Sequence, residues 1–183
     1  MTFCSVLLNL LAVTLECMRQ IVVIAHDIRS CHNVGSLLRT ADGLGVDAVY
    51  LTGYTPYPPL TTDDPRLPHL AAKIGRQISK TALGAERSVN WHVRSDLPAL
   101  LQELRKESYR LVALEQAANS ISLPDYTVPD KVALLIGREV EGVDHKLLKA
   151  MDDIIEIPML GQKESFNVVQ AAAMALYQLR IAP

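Results

Sequence analysis

Three stretches of this chain carry polar residues at spacings suited to chemistry. The first, His32-Asn33-Val34-Gly35-Ser36-Leu37-Leu38-Arg39, sets an amide and a guanidinium six residues apart on a predicted helix. That separation is a little under two turns, so the two need not share a face. In the second, Ile136-Gly137-Arg138-Glu139-Val140-Glu141-Gly142, glycines flank a carboxylate just after an apolar run. Glycines at a strand end let backbone N–H and C=O groups approach a flat ligand closely. The third runs Ile157-Pro158-Met159-Leu160-Gly161 and then Glu164-Ser165-Phe166-Asn167-Val168-Val169. Each stretch also has a plain structural reading. Asn33 can cap a helix with Arg39 a surface cation, Glu139 can be a solvated turn residue, and Ser165 or Asn167 can cap the final helix.

The elements that must position these groups follow from periodicity. From residue 20 short apolar runs alternate with helical stretches, the pattern of an α/β fold with a mostly parallel sheet and helices on both faces. Strands are predicted at Ile21–Ala25, Ala48–Leu51, Ser88–His92, Arg110–Leu114, Val132–Ile136 and Asp153–Ile157. Helices are predicted at Val34–Leu44, Asp96–Glu107, Asp144–Met151 and Val168–Ile181, with Leu70–Gly84 partly helical. Thr52–Pro68 holds five of the ten prolines and reads as an ordered loop. The three polar stretches all follow strands, where open α/β sheets bind ligands.

The 183 residues, 49% of them hydrophobic, fit one domain able to bury a core without disulfides or metal. Cys4, Cys17 and Cys31 form no ligand or disulfide pattern and fit a reducing cytoplasm; no metal site is expected. Residues 1–17 hold a charge-free apolar run, Phe3–Leu15, too short to cross a bilayer. No Lys or Arg precedes Arg19, which argues against a secretory signal. The run reads as an extra helix, or as the product of a start upstream of a natural initiator at Met18, with residues 18–183 the single domain.

Two nucleotide motifs are excluded. Gly43-Leu-Gly45-Val-Asp-Ala48 spells a dinucleotide string but leads from helix to strand, the reverse of the order a phosphate cradle needs. Gly137 begins a P-loop-like string, yet Val143 and Asp144 stand where Lys and Ser/Thr belong. A nucleophile elbow is absent and the five histidines are scattered.

Taken together and in order, the three stretches resemble the SpoU (TrmH) family of the SPOUT superfamily, RNA ribose 2′-O-methyltransferases that use S-adenosyl-L-methionine. The resemblance covers residues 20–181 and rests on N-x-G-x-x-x-R, a strand then G-x-E-x-x-G, and I-P-M followed by S-x-N-V; Ile78–Glu86 also looks like the family's middle segment. It implies a C-terminal deep trefoil knot, an exception to the unthreaded-chain rule. It implies a homodimer joined through the final Ala-rich helix. It places the cofactor against Leu135, Ile136, Gly137, Glu139, Gly142, Ile157, Pro158, Met159, Gly161, Ser165, Asn167 and Val168. Asn33, Arg39, Glu139, Ser165 and Asn167 match the family's catalytic positions. A guanidinium is effectively always protonated, so Arg39 is expected to position the ribose hydroxyl and phosphate. The chain departs from the family at Phe166, usually Leu, and Val169, usually Ser.

The formal charge of −2 argues against a polybasic nucleic-acid binder, but it conceals an uneven distribution. Residues 66–94 carry Arg66, Lys73, Arg76, Lys80, Arg87 and Arg94 against Glu86 alone, +5 locally, with −7 over the remainder. This stretch is the expected grip on tRNA or rRNA, since the chain has no room for a separate recruiting domain. The rival readings are a non-catalytic RNA-binding or cofactor-sensing protein on the same fold and a flavodoxin-like nucleotide protein.

Overall fold

The computed structural model describes residues 19–139 and 141–182; the apolar run at 1–17 lies outside them. Seven strands form one sheet: β1 (Gln20–His26), β2 (Ala48–Thr52), β3 (Trp91–Arg94), β4 (Arg110–Leu114), β5 (Ile121–Ser122), β6 (Lys131–Ile136) and β7 (Asp153–Glu156). Their order is β3-β2-β1-β6-β4-β7-β5, and every pairing is parallel. The helices are α1 (Cys31–Gly43), α2 (Pro68–Ala82), α3 (Ala85–Ser88), α4 (Leu97–Lys106), α5 (His145–Leu148) and α6 (Val168–Ile181).

A strand buried on both faces reads as a continuous apolar run, because its side chains alternate between two cores. In β1, Ile21, Val23 and Ala25 pack with α1, α2 and α6, while Val22 and Ile24 pack on the opposite face with Leu97, Leu100, Leu101 and Leu104 of α4. β6 divides the same way, with Val132, Leu134 and Ile136 on the first face and Ala133 and Leu135 on the second. Full burial of one such Leu or Ile contributes about 1.5–3 kcal/mol. The result is three layers with β1 and β6 at the centre, and all strand C-termini point to one edge.

Local chemistry corrects several expected boundaries. Ser30, not Asn33, caps α1: its Oγ accepts from the Asn33 N–H at 3.2 Å, which moves Asn33 into the first turn. Asp96 caps α4, and of the two candidates for α6, Ser165 and Asn167, it is Asn167 that caps the helix. The strand expected over Ser88–His92 starts at Trp91, because Ala85–Ser88 forms a helical turn after Gly84, whose φ is +102°. Glu86 fixes that turn by accepting from Gly84 N–H and Ser79 Oγ. α2 is helical from Pro68, a residue suited to a first helical position. The Gly43–Gly45 string is a helix end and turn, with Gly45 at φ +59°. The two-residue β5 and the 3-10 turn at Leu123–Asp125 carry no periodicity long enough to be read from sequence.

Residues 53–67 are ordered by Arg66. Its guanidinium donates to Asp64, to the Tyr57 and Pro58 carbonyls, and lies 3.7 Å from the Tyr57 ring centroid. Gly75 of α2 meets Pro59, where a Cβ would come within 2.7 Å of the ring. This rigid segment follows β2 at the edge of the sheet where the strands end.

Candidate functional site

The three polar stretches converge at the C-terminal ends of β1, β6 and β7. Glu139, just past β6, accepts from Asn33 Nδ2 at 3.1 Å and from the Arg29 and Ser30 backbone N–H groups at 3.2 and 3.3 Å. Asn33 Oδ1 in turn accepts from Asn167 Nδ2 at 3.5 Å. One amide, one carboxylate and one further amide thus link all three stretches in a single row. Burial pushes the Glu139 carboxyl upward, but the hydrogen bonds from Arg29, Asn33, Ser30 and its own N–H outweigh it and hold the group below the ordinary glutamate value. Glu139 is therefore an anion at neutral pH, better suited to orienting Asn33 than to taking a proton.

Beside this row lies a cleft of about 290 Å³. Of the residues expected to hold a cofactor, Gly137, Glu139, Gly142, Ile157, Ser165 and Val168 line it. Leu135 and Ile136 are fully buried in β6. Pro158, Met159, Gly161 and Asn167 lie outside its lining, although Asn167 joins the row above. Phe166 lines the cleft, whereas Val169 is buried in the core.

Both loop glycines are dictated by geometry. Gly142 adopts φ +68°, and a Cβ there would overlap the Glu115 carboxylate. A Cβ on Gly137 would come within 2.7 Å of the Gly142 carbonyl oxygen, which accepts from Arg138 N–H. Glu115 braces this loop by accepting from Val143 N–H at 2.7 Å, and its neighbour Gln116 donates from Nε2 to the Glu164 carbonyl at 3.1 Å. Glu115 and Gln116 were missed from sequence. Their position directly after β4, a fourth strand end, is the signal that marks them.

Arg39 stands apart. It is exposed on the outer face of α1, about 120° around the helix from Asn33, and makes no hydrogen bond or ion pair among the described residues. The structure does not bring it into the row within one chain.

The cleft lining is strongly acidic: Glu115, Glu139, Glu141, Glu156 and Glu164 line it, with Arg138 the only Lys or Arg among its described lining residues. Two of those carboxylates are engaged by backbone N–H groups, yet the field is negative and favours a cationic ligand over a polyphosphate. No cluster of three or more metal-ligating side chains occurs among the described residues, and no described helix is long and apolar enough to cross a membrane.

The expected basic stretch divides in two. Lys73, Arg76 and Lys80 recur at helical spacing on the exposed face of α2, and Arg87 is exposed on α3; none of the four forms an ion pair among the described residues. Arg66 is turned into its own loop, and Arg94 pairs with Glu103 of α4.

The chain resembles known proteins over most of its length. The chain is 31% identical over 161 residues to a Bacillus subtilis 23S rRNA (guanosine(2553)-2′-O)-methyltransferase, RlmP, covering 87% of this chain and 57% of that protein. It spans about half the length of the curated relatives it matches. Among solved structures, an AdoMet-bound rRNA methyltransferase from Sinorhizobium meliloti superposes with a TM-score of 0.74 at 21% identity, over 89% of this chain and 56% of that one. A structure described in connection with 2-OH methylation of C/U34 on tRNA gives 0.70 at 21% identity, covering 88% of this chain and 94% of that one. At these identities the two structures speak to the fold. The model of the SpoU rRNA Methylase family matches residues 20–177. That match runs from β1 into α6 and takes in all three converging stretches: the chain belongs to the SpoU rRNA methylase family.

Proposed function

We propose that this protein transfers a methyl group from S-adenosyl-L-methionine to a ribose 2′-hydroxyl of tRNA or rRNA. The observation that carries the reading is the acidic, glycine-walled cleft beside the Asn33–Glu139–Asn167 row. Its lining suits a sulfonium and an α-amino group, and its glycines leave backbone exposed to a flat adenine. Gly137, Glu139, Gly142, Ile157, Ser165 and Val168 would hold the cofactor. When bound, that cofactor supplies an electrophilic methyl carbon. The RlmP relative, named as a guanosine-2′-O-methyltransferase, supports the same class of acceptor.

A ribose hydroxyl is a poor nucleophile, so the chain's task is alignment in line with the breaking S–C bond. Glu139 fixes the Asn33 amide, and Asn167 fixes it from the other side. Arg39, which lies outside the row within one chain, would reach the ribose and its phosphate across the homodimer inferred below and position them through charge and a fork of donors. A polyphosphate nucleotide fits this site poorly, since an acidic lining without a phosphate cradle repels it. Incubation with labelled S-adenosylmethionine and cellular RNA, followed by digestion to nucleosides, tests the reading. Labelled 2′-O-methylnucleosides are expected; cofactor binding without transfer would instead indicate a cofactor-sensing protein.

The finer architecture follows the family. We infer a trefoil knot at the C-terminus, with support from the Gln116–Glu164 bond that ties the loop after β4 to the segment leading into α6. We also infer a homodimer through α6, where Met174, Tyr177 and Ile181 recur along one exposed face at helical spacing. Tyr177→Glu should convert a dimer to a monomer in sedimentation, and an unchanged mass would place the interface elsewhere.

RNA is gripped by the exposed face of α2. Removing Lys73, Arg76 and Lys80 together should lower the slope of log affinity against log salt by about two, at roughly 0.7 per phosphate contact on single strands. Filter binding across a salt series measures it. An unchanged slope would assign RNA to another face.

A further inference from the structure

One feature at the cleft's edge has no part in holding the cofactor or in the row of amides. Tyr54 follows β2 and is 49% exposed, while the backbone on either side of it is pinned. Gly53 adopts φ +64°, and a Cβ there would overlap Asp27 Oδ1. Tyr54 N–H donates to that same oxygen at 3.1 Å. Thr55, buried, donates from Oγ1 to the Ala25 carbonyl and accepts from Ile28 N–H, both at 3.0 Å. An exposed aromatic ring is thus carried on a tightly pinned turn. Its hydroxyl makes no hydrogen bond among the described residues, and the side-chain neighbour recorded for the ring is the Arg138 guanidinium.

The same anchor fixes a second flat group. Asp27 is buried with φ +58°, a conformation that non-glycine residues adopt rarely and that marks a locally over-determined site. It binds Arg138 through Nε at 3.2 Å and Nη2 at 2.9 Å. Arg138 lines the cleft, and its guanidinium carbon lies 6.0 Å from the centroid of the Tyr54 ring. With its charge matched by Asp27, this guanidinium serves as a flat surface more than as a free cation. Aromatic rings and guanidinium planes are the surfaces on which unstacked RNA bases settle.

We propose that Tyr54, braced with Arg138 by Asp27, is a stacking platform for the base of the nucleotide whose ribose is methylated. This rests on the RNA ribose reading above and extends it: the platform requires the target nucleotide to be unstacked, as in a loop or single strand. A stack reads the face common to every base, so Tyr54 contributes affinity more than base identity.

The test compares Tyr54→Ala, Tyr54→Leu and Tyr54→Phe in methyl transfer to RNA and in direct binding of unfractionated tRNA by fluorescence anisotropy. Tyr54→Ala and Tyr54→Leu are expected to raise the KM for RNA and the tRNA Kd about tenfold, equivalent to about 1.4 kcal/mol. Tyr54→Phe keeps the ring and should stay within about twofold of wild type, as should kcat, cofactor affinity and the thermal midpoint in all three. If Tyr54→Ala leaves tRNA affinity unchanged, or if Tyr54→Leu restores it, the platform is wrong whether or not the wild type transfers methyl. Wild-type protein that transfers no methyl, with Tyr54→Ala still weakening tRNA binding tenfold, would overturn the catalytic reading and leave Tyr54 a stacking platform for an RNA base alone. Loss of dimer mass in Tyr54→Ala would make the ring a subunit contact and overturn it.

Discussion

Arg39→Ala is expected to slow methyl transfer by about a hundredfold or more, the scale on which misplacing a reacting group slows an aligned reaction. Cofactor affinity and thermal midpoint should hardly change, because Arg39 is exposed on α1 and touches neither the cleft nor the core among the described residues. This separation of readouts distinguishes a group that meets RNA from one that holds the site together. Arg39→Lys keeps the charge but loses the planar fork, so an intermediate rate is expected. Single-turnover transfer with saturating cofactor, set beside calorimetric cofactor binding, measures both quantities. A variant with normal turnover would remove Arg39 from the chemistry and leave the ribose positioned by the Asn33–Glu139–Asn167 row alone.

The second large effect is expected on the cofactor side, from a single methyl group. Gly142→Ala puts a Cβ into the Glu115 carboxylate, on a backbone at φ +68° that L side chains rarely adopt. Glu115 cannot retreat freely, since it holds Val143 N–H and Gln116 N–H. Moving it disturbs Gln116, which ties down the Glu164 carbonyl on the opposite wall of the cleft. Cofactor affinity should fall about thirtyfold or more, equivalent to about 2 kcal/mol. The strain should also lower the thermal midpoint by several degrees, at about 2–4 °C per kcal/mol for a chain of this size. Gly161→Ala is the matched control: a Cβ there meets nothing within 4 Å, so affinity should stay within about twofold. Equal losses in the two variants, read by calorimetry, would contradict the role given to the Glu115 brace.

Much of the fold was legible because parallel strands buried on both faces leave unbroken apolar runs. IVVIA, RLVAL and VALLI each fall within an observed strand. The meeting of Asn33, Glu139 and Asn167 was legible only through the order of three motifs, since no single one of them exceeds an ordinary cap or turn in information. What stayed hidden depends on contacts distant in sequence. Glu115 looks like a solvated residue after a strand until its partner, the backbone N–H of Val143, is brought beside it. Arg66 counted as one more cation in a basic stretch, and only the fold of its loop shows Asp64 and two carbonyls meeting it. Ser30 displaced Asn33 as the cap because both are good cap residues, and the sequence carries no local preference strong enough to separate them.

Methyl transfer to a ribose oxygen is open to a direct test, the mapping of 2′-O-methylation across tRNA and rRNA from cells with and without this protein. Resistance of the neighbouring phosphodiester to alkaline cleavage marks each methylated ribose. At least one position is expected to lose its resistance without the protein, to regain it with the wild-type chain and to stay sensitive with Arg39→Ala. An identical ribose map in all of these cells, or a lost methyl traced to a base, would contradict it.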